Sequence, residues 1–240
     1  MEWLLAYLAL GLITGVIAGL LGVGGGLVMV PMLTWAYAQQ GFTANFNIHL
    51  ALGTSLAVIV PTALSSMRAH HAHGAVDWML VGRITPGILL GTLLGGGLAV
   101  LLPDRNLKLF FIAFLLYAAT QMLLGFRPKP QRGLPGPAGM TLAGGVIGLV
   151  SSWVGIGGGT LSVPFQTWCN VGLHRAIGTS AAIGLPIALA GMAAYMFSGQ
   201  AAAGLPPGAW ASSICLPSWQ SPWAVASLLP WGPGWPIACR

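Results

Sequence analysis

The residues best suited to hold a small ligand are two glycine triplets, each inside an apolar stretch. Residues 21–31 read LGVGGGLVMVP, and residues 154–164 read VGIGGGTLSVP. Glycine costs roughly 1 kcal/mol relative to alanine inside a helix, so the first triplet predicts a helix that breaks, restarts near Leu27 and meets a second breaker at Pro31. A helix that begins in apolar surroundings presents free backbone N–H groups and the positive end of its dipole. We therefore expect both triplets to form anion-binding concavities.

Each glycine segment is followed by a helix that carries a Thr-Ser pair, in the tripeptide GTS at residues 53–55 and 178–180. The hydroxyls would add hydrogen-bond donors, and neither glycine segment contains Lys or Arg. The sequence thus predicts one anion held by neutral donors from both halves of the chain. The candidate substrate-binding residues are Gly24, Gly25, Gly26, Thr54, Ser55, Gly157, Gly158, Gly159, Thr179 and Ser180. Two alternatives stay open: the glycines only permit tight helix crossing, and the hydroxyls bond their own helix backbones.

The composition places the chain in a lipid bilayer. Of its 240 residues 56% are hydrophobic and only 5% are charged, and the mean hydropathy is +0.82, whereas soluble domains carry about 25% charged residues. The net charge of +6 is explained by membrane orientation, so we expect no nucleic-acid partner. Three widely separated cysteines indicate neither a disulfide framework nor a zinc site. Neither glycine segment continues as a nucleotide-binding P-loop, and we expect no metal and no cofactor.

The apolar pattern predicts an all-α polytopic membrane protein. A bilayer core needs about 20 helical residues to cross, and the apolar blocks of the first half are residues 3–21, 27–38, 49–67, 84–102 and 109–126. Charged connections separate them at residues 68–83 and 103–108. The predicted division of the chain is a first transmembrane repeat at 1–126, a basic proline-rich linker at 127–137, an incomplete second repeat at 138–207 and an aberrant tail at 208–240.

The second half repeats the first. Residues 155–164 align with 22–31, and residues 174–192 align with 49–67, with Gly, Pro, Thr, Ser and His in register. If each glycine segment enters and leaves the membrane on one side, the halves are inverted, and if each crosses once, they are parallel. We favour inversion. Two connections on one face carry Arg68, Arg83, Arg127, Lys129 and Arg132, against Arg105 and Lys108 on the other, which predicts that the first face is cytoplasmic.

The paired G-x-G-G-G-x-x-x-V-P segments, each followed by an H/R-x-A-x-G-T-S helix, resemble the TauE/SafE family of membrane permeases. The resemblance covers residues 1 to about 207. It implies a multi-pass permease of the bacterial inner membrane that moves sulfite, sulfonates or related organosulfur anions. The mechanism that we expect is alternating access, in which the two halves rock about the glycine site.

Three other classes of function are weighed against transport. The chain could be a membrane assembly or scaffold protein without flux, or an inactive truncated transporter. An intramembrane enzyme is weakly supported, because the acidic residues are only Glu2, Asp77 and Asp104 and no spacing suggests a catalytic set. The partners expected are the lipid bilayer and a small anion, and the sequence also allows a homo-oligomer.

Other polar and glycine-rich features have simpler structural interpretations. His49 and His174 begin their helices, where capping or an interfacial position is the default. The histidines at 70, 71 and 73 could hold a metal or sense pH, but they have no copy in the second half. The triplet at residues 95–97 lacks a following Val-Pro, so we assign it to helix packing. Trp35 and Trp168 are typical of interfacial aromatic belts.

The C-terminal tail does not continue the repeat. Residues 208–240 contain five of the ten tryptophans and five prolines, a spacing that leaves no helix of about 20 residues. We interpret this tail as the product of a shifted reading frame. Resequencing the DNA across codons 207–210 should reveal a second frame that encodes a membrane helix with a basic end. An uninterrupted frame with no such neighbour would contradict the interpretation.

Overall fold

The computed structural model describes residues 11–16, 25–39, 47–124 and 133–200. Residues 11–16 are helical. Gly24, most of the block at 3–21, the linker up to residue 132 and the tail from residue 208 lie outside the described residues. The longer helices in the described ranges are α1 (Gly26–Gln39), α2 (Asn47–Ala72), α3 (Trp78–Leu101), α4 (Asp104–Leu123), α5 (Pro137–Val154), α6 (Gly159–Trp168) and α7 (Leu173–Gln200).

The expected all-α membrane architecture is confirmed. Within the described ranges five helices are long and apolar enough to cross a bilayer, namely Asn47–Ala72, Trp78–Leu101, Asp104–Leu123, Pro137–Val154 and Leu173–Ser198. They correspond to α2, α3, α4, α5 and α7. The two shorter helices, α1 and α6, are the ones that follow the glycine triplets. The structure therefore combines five helices of spanning length with two short helices that start within the glycine triplets.

The predicted second break at Pro31 is wrong, because α1 continues through it to Gln39. Pro164 likewise lies inside α6. Each proline is the sixth residue of its helix, so it removes a single backbone hydrogen bond, the one to the carbonyl of Leu27 or Thr160. Membrane helices tolerate such prolines where neighbouring helices or hydroxyl side chains compensate.

The charged connections are shorter than the sequence predicts. α2 extends through residues 68–72, α3 begins at Trp78 and α4 begins at Asp104. The Asp77 carboxylate caps α3 by accepting a hydrogen bond of 3.1 Å from Leu80 N. Lys108 pairs with Asp104 one helical turn away. These polar contacts prolong helices past their apolar parts, which hydropathy alone does not register.

Small residues bring α3 and α5 into close parallel contact. A Cβ at Gly87 would overlap the backbone of Thr141, and one at Gly91 would overlap that of Gly145. Residue numbers rise together along both helices, so the two run in the same direction. The predicted packing role of the 95–97 triplet fits this interface: Gly95 lies against α5 and Gly96 against Ala194 of α7, while Gly97 has open space beside it.

α2 and α7 cross the centre of the bundle in opposite directions. A Cβ at Gly53 would lie 3.3 Å from Cβ of Tyr195, and one at Gly184 would lie 3.7 Å from Cβ of Ala63. Residue numbers rise along α2 in the direction in which they fall along α7, so the two helices are antiparallel. These helices contain the aligned blocks 49–67 and 174–192, and antiparallel packing is the relative direction that an inverted repeat requires. That the two halves are duplicates stays a prediction.

The helix interface gives a matched pair of substitutions within α3. Gly91→Ala places a methyl group into the backbone of α5, so we expect the free energy of unfolding to fall by about 1–3 kcal/mol. Gly97→Ala meets no atom within 4 Å and should be neutral or stabilising by up to about 1 kcal/mol. Thermal unfolding of both variants in detergent micelles checks this. Equal midpoints would show that the glycine contact does not limit packing.

Candidate functional site

Both short helices begin in the same way. The carbonyl of Gly25 accepts hydrogen bonds from Val28 N (3.3 Å) and Met29 N (2.9 Å) at the start of α1. The corresponding carbonyl in the second half, that of Gly158, accepts from Leu161 N (3.1 Å) and Ser162 N (2.8 Å) at the start of α6.

In each helix, the backbone amides of the first two residues come before these hydrogen-bonded amides in the chain. They belong to Gly26 and Leu27 in α1 and to Gly159 and Thr160 in α6. A helix leaves its first N–H groups without an intrahelical acceptor. Each helix therefore directs two backbone donors and about half a positive charge from its dipole toward the preceding glycines.

The break between α5 and α6 is made by two glycines in the left-handed region. Gly155 has φ 69° and donates its N–H to Ser151 O at 2.9 Å, which ends α5. Gly158 has φ 76° and immediately precedes α6. A side chain at either position would be strained, because only glycine adopts this conformation readily. The predicted broken helix is therefore present at residues 155–158.

The two glycine segments meet. A Cβ at Gly26 would overlap the carbonyl of Gly155, and Ile156 packs beside it. The same carbonyl of Gly155 accepts a hydrogen bond of 2.8 Å from Ser55 Oγ on α2. The absence of a side chain at Gly26 thus allows the start of α1 to lie directly against the break between α5 and α6.

This contact lies beside the middle of the two central helices. A Cβ at Gly157 would lie 3.3 Å from Cγ2 of Ile59 on α2 and 3.8 Å from Cα of Gly184 on α7, and Gly158 faces Ile187. Since α2 and α7 are both long enough to span a bilayer, the broken segment is placed well inside the apolar layer. Backbone groups at such a depth must be satisfied by protein or by a bound ligand.

The four predicted hydroxyls are buried and divide into two kinds. Ser55 and Ser180 face the glycine segments: Ser55 bonds Gly155, and Ser180 Oγ lies 3.5 Å from the Cβ position of Gly159. Thr54 instead shares a hydrogen bond of 3.0 Å with Tyr37 on α1. Thr179 accepts one of 3.0 Å from Asp77 N, in the turn before α3. Through these two bonds the threonines tie helices together.

Four polar residues on α5 and α6 were missed by sequence reasoning. They are Ser151, Thr160, Ser162 and Gln166. Ser162 Oγ donates to Ser180 Oγ at 2.8 Å. Ser151 Oγ and Thr160 Oγ1 are buried without a hydrogen-bond partner, and Ser151 Oγ lies 3.5 Å from the Cβ position of Gly158. A Cβ at Gly158 would overlap Cδ1 of Ile187 and lie 3.7 Å from Cγ2 of Ile147, so apolar groups fill most of the space there. Ser151 Oγ lies at the edge of that space, and Ser180 Oγ lies beside the Cβ position of Gly159.

Gln166 is the most unusual of these residues. Its side chain is 0% exposed, and neither Nε2 nor Oε1 has a hydrogen-bond partner. Buried amides in folded proteins are almost always hydrogen-bonded. Gln166 lies one turn after Ser162, and these two are the buried residues of α6. In the sequence, the signal that could have identified Gln166 is its spacing of four residues from Ser162 within a short apolar segment. Such a spacing is a weak indication of a site.

The histidines at 70, 71 and 73 do not join this site. His71 Nδ1 accepts a hydrogen bond of 3.1 Å from Trp78 Nε1, and His73 Nδ1 donates to Ala69 O at 2.7 Å. His174 is exposed at the start of α7. His49 is held elsewhere, at the beginning of α2 beside Ala99.

Comparison with known proteins gives consistent matches along most of the chain. The family model described as Sulfite exporter TauE/SafE matches residues 7–227, which includes part of the segment interpreted as frameshifted. A probable membrane transporter protein of Haemophilus influenzae is 36% identical over 201 residues, covering 82% of this chain and 75% of that protein. The probable membrane transporter protein YunE of Bacillus subtilis is 28% identical over 226 residues, covering 84% and 82% respectively. No solved structure gives a significant match.

The unpaired amide of Gln166 predicts a gain in stability on its removal. Gln166→Met keeps the length of the side chain but removes two buried polar atoms, so the free energy of unfolding of the ligand-free protein should rise by about 1–3 kcal/mol. Gln121→Met, at a less buried position late in α4, is the control and should change the free energy of unfolding little. Thermal unfolding without added anions measures both. A destabilised Gln166→Met protein would indicate that the amide has a protein partner.

Proposed function

Because the chain belongs to the sulfite exporter TauE/SafE family and is a membrane transporter, we propose that it moves small sulfur-containing anions such as sulfite or sulfonates across the bacterial inner membrane. The proposed binding site lies where the starts of α1 and α6 meet. The observation that carries the proposal is the contact of Gly26 with Gly155, close to which the buried, unpartnered hydroxyl of Ser151 lies 3.5 Å from the Cβ position of Gly158.

The chemistry of the site favours an anion. Its groups are the amides at the starts of α1 and α6 and the hydroxyls of Ser151 and Ser180. The Gln166 carboxamide lies about 10 Å further along α6, where it would line the route of the anion to the site. Residues 151–170 contain no Asp or Glu, so there is no fixed negative charge to repel an anion from that side. Sulfite and sulfonates offer three acceptor oxygens, which matches donors converging from two helix starts and from side chains.

The neutrality of the site suits transport better than storage. A buried Lys or Arg would form a strong charge-assisted bond and would be left uncompensated when the anion departed. Backbone dipoles and hydroxyls carry only partial charges, so the empty site costs less. We propose that the protein binds an anion in this way and releases it without leaving an unpaired charge in lipid.

The arrangement of the helices suggests how access could alternate. α1 and α2 belong to the first half, α6 and α7 to the second, and the proposed anion site lies between them. If the halves are an inverted repeat, as the antiparallel packing of α2 and α7 supports, rocking one half against the other would open the site to each side in turn. The Ser55–Gly155 hydrogen bond joins the halves and would have to break or shift in that motion.

Flux through proteoliposomes tests the proposal. Gly159→Ala adds a methyl group that meets Ser180 Oγ at 3.5 Å, an ordinary contact, so the fold should tolerate it while the anion cradle becomes smaller. We expect the rate of sulfite or methanesulfonate counterflow to fall about tenfold, which is the effect of losing ~1.4 kcal/mol of binding. Gly172→Ala, which meets no atom within 4 Å, is the control and should retain the wild-type rate.

Gln166→Met serves as a second variant in the same assay, because it should lose flux while gaining stability. A protein that only assembles other membrane components would show no substrate-dependent flux in any form. Equal flux in Gly159→Ala, Gln166→Met and wild type would remove the site from this part of the molecule.

A further inference from the structure

A second polar cluster lies where the start of α2 meets the turn between α3 and α4. His49 Nε2 lies 3.0 Å from the carbonyl oxygen of Ala99. His49 Nδ1 lies 3.9 Å from Asp104 Oδ1, and these two side chains are only 12% and 13% exposed. The other carboxylate oxygen, Oδ2, pairs with Lys108. Three helices therefore converge on one imidazole and one carboxylate.

The hydrogen-bond partners determine where the ring proton must be. The Ala99 carbonyl can only accept, so Nε2 of His49 carries the proton in the neutral ring. Nδ1 is then a lone pair that faces Asp104 Oδ1, which is itself an acceptor when ionised. Both atoms are buried and without a hydrogen-bond partner, and so is Oδ1 of Asn47, two residues before His49. The cluster is short of a donor.

One additional proton on His49 would supply that donor. Nδ1–H could then donate to Asp104 Oδ1 as a charge-assisted bond. The present separation of 3.9 Å exceeds the usual length of such a bond by about 1 Å. Protonation would therefore draw the starts of α2 and α4 together, and deprotonation would release them.

In the part of the chain that the structure describes, the charged groups that face His49 come from α4. Among the described residues they are Asp104 directly and Lys108 through Asp104, while α3 contributes the neutral Ala99 carbonyl. Lys108 neutralises the carboxylate in part, so the cluster holds a carboxylate and an ammonium with a neutral ring, or the same pair with an imidazolium. The change between these two states is one positive charge at one end of the spanning helices.

We propose that His49 and Asp104 form a proton-binding site that couples proton movement to the anion transport proposed above. The link is α2 itself: Ser55 lies six residues after His49, about 9 Å along the helix axis, and bonds Gly155 of the second half. A shift of the start of α2 toward α4 would bear directly on that bond. A hard metal cation is a poorer occupant, because such ions take several oxygen ligands and the atom facing Asp104 is an imidazole nitrogen. A zinc-type ion needs at least a third side-chain ligand, and the described part of the chain brings no three His, Cys, Asp or Glu side chains together.

A spectroscopic experiment tests proton binding without any substrate. Wild-type protein labelled with ¹⁵N-histidine in lipid nanodiscs should show His49 as the Nε2–H tautomer at pH 8. At pH 5.5 it should show a second, strongly hydrogen-bonded proton on Nδ1. His49→Gln assigns these signals, and Asp104→Asn should abolish the hydrogen-bonded character of the second proton. The exposed His174, assigned with His174→Gln, should look the same in wild type and Asp104→Asn. An identical His49 spectrum in wild type and Asp104→Asn would overturn the proton site.

A flux experiment tests the coupling. Methanesulfonate, the anion of a strong acid, is the probe, so that protonation of the substrate cannot imitate coupling. An imposed proton gradient should change net methanesulfonate movement about fivefold or more in wild type and in His174→Gln, within the usual range of coupling between sites. His49→Gln should lose that dependence and still exchange labelled for unlabelled methanesulfonate within about twofold of wild type, because exchange needs no net proton movement.

The outcomes separate this inference from the proposed function. The coupling would be overturned if flux through His49→Gln still depended on the proton gradient. It would also be overturned if a sodium gradient could replace the proton gradient in driving flux through the wild type. If wild type moves no methanesulfonate, the proposed function fails for this probe, and the spectroscopic arm alone decides whether His49 and Asp104 bind a proton. If His49→Gln loses exchange as well as gradient dependence, the residue supports the fold and the coupling role is rejected.

Discussion

The structure depends on one constraint: backbone groups exposed by a broken helix inside lipid must find partners there. At residues 155–158 the chain meets this constraint with left-handed glycines, with the Ser55 hydroxyl on the Gly155 carbonyl, and with close contact from Gly26. Each solution needs a residue with no side chain or a short polar one. A single larger side chain at Gly26 would separate the start of α1 from the break and leave the amides of both short helices apart.

The rest of the bundle holds these two helix starts in position. Glycines along α3 and α5 allow two spanning helices to pack backbone to backbone, which is how membrane helices gain contact area without a hydrophobic driving force between them. α7 packs against α2 and α3, and α2 also packs against α1. α2 is therefore the shared element, because it touches the first short helix through Thr54 and Tyr37 and the second break through Ser55.

Two kinds of electrostatics occur at different depths of the molecule. Beside the break, the groups that could meet an anion are neutral, and the Ser151 hydroxyl is buried there without a hydrogen-bond partner. At the start of α2, ionisable groups lie close to the end of the spanning helices, where access to water is nearer. Because moving a full charge out of water into lipid is costly, groups with partial charges are found deep in the bundle and ionisable groups near the ends of the helices. This division is consistent with an anion that crosses the membrane and a proton that controls the crossing.

The sequence by itself determined the class of the protein, because a chain with so few charges can bury its surface only in lipid. It also identified the family from its paired glycine motifs, and it located the start of α1 to within a residue and that of α6 within the triplet at 157–159, since consecutive glycines disfavour a helix interior. It did not determine that Pro31 and Pro164 stay within helices, or that Thr54 and Thr179 serve as helix ties while Ser55 and Ser180 face the glycines. Those outcomes, like the isolation of Gln166 and the pairing of His49 with Asp104, were decided by tertiary packing. The physical reason is that each depends on which atoms from distant parts of the chain occupy the neighbouring space, and local residue types carry no record of that.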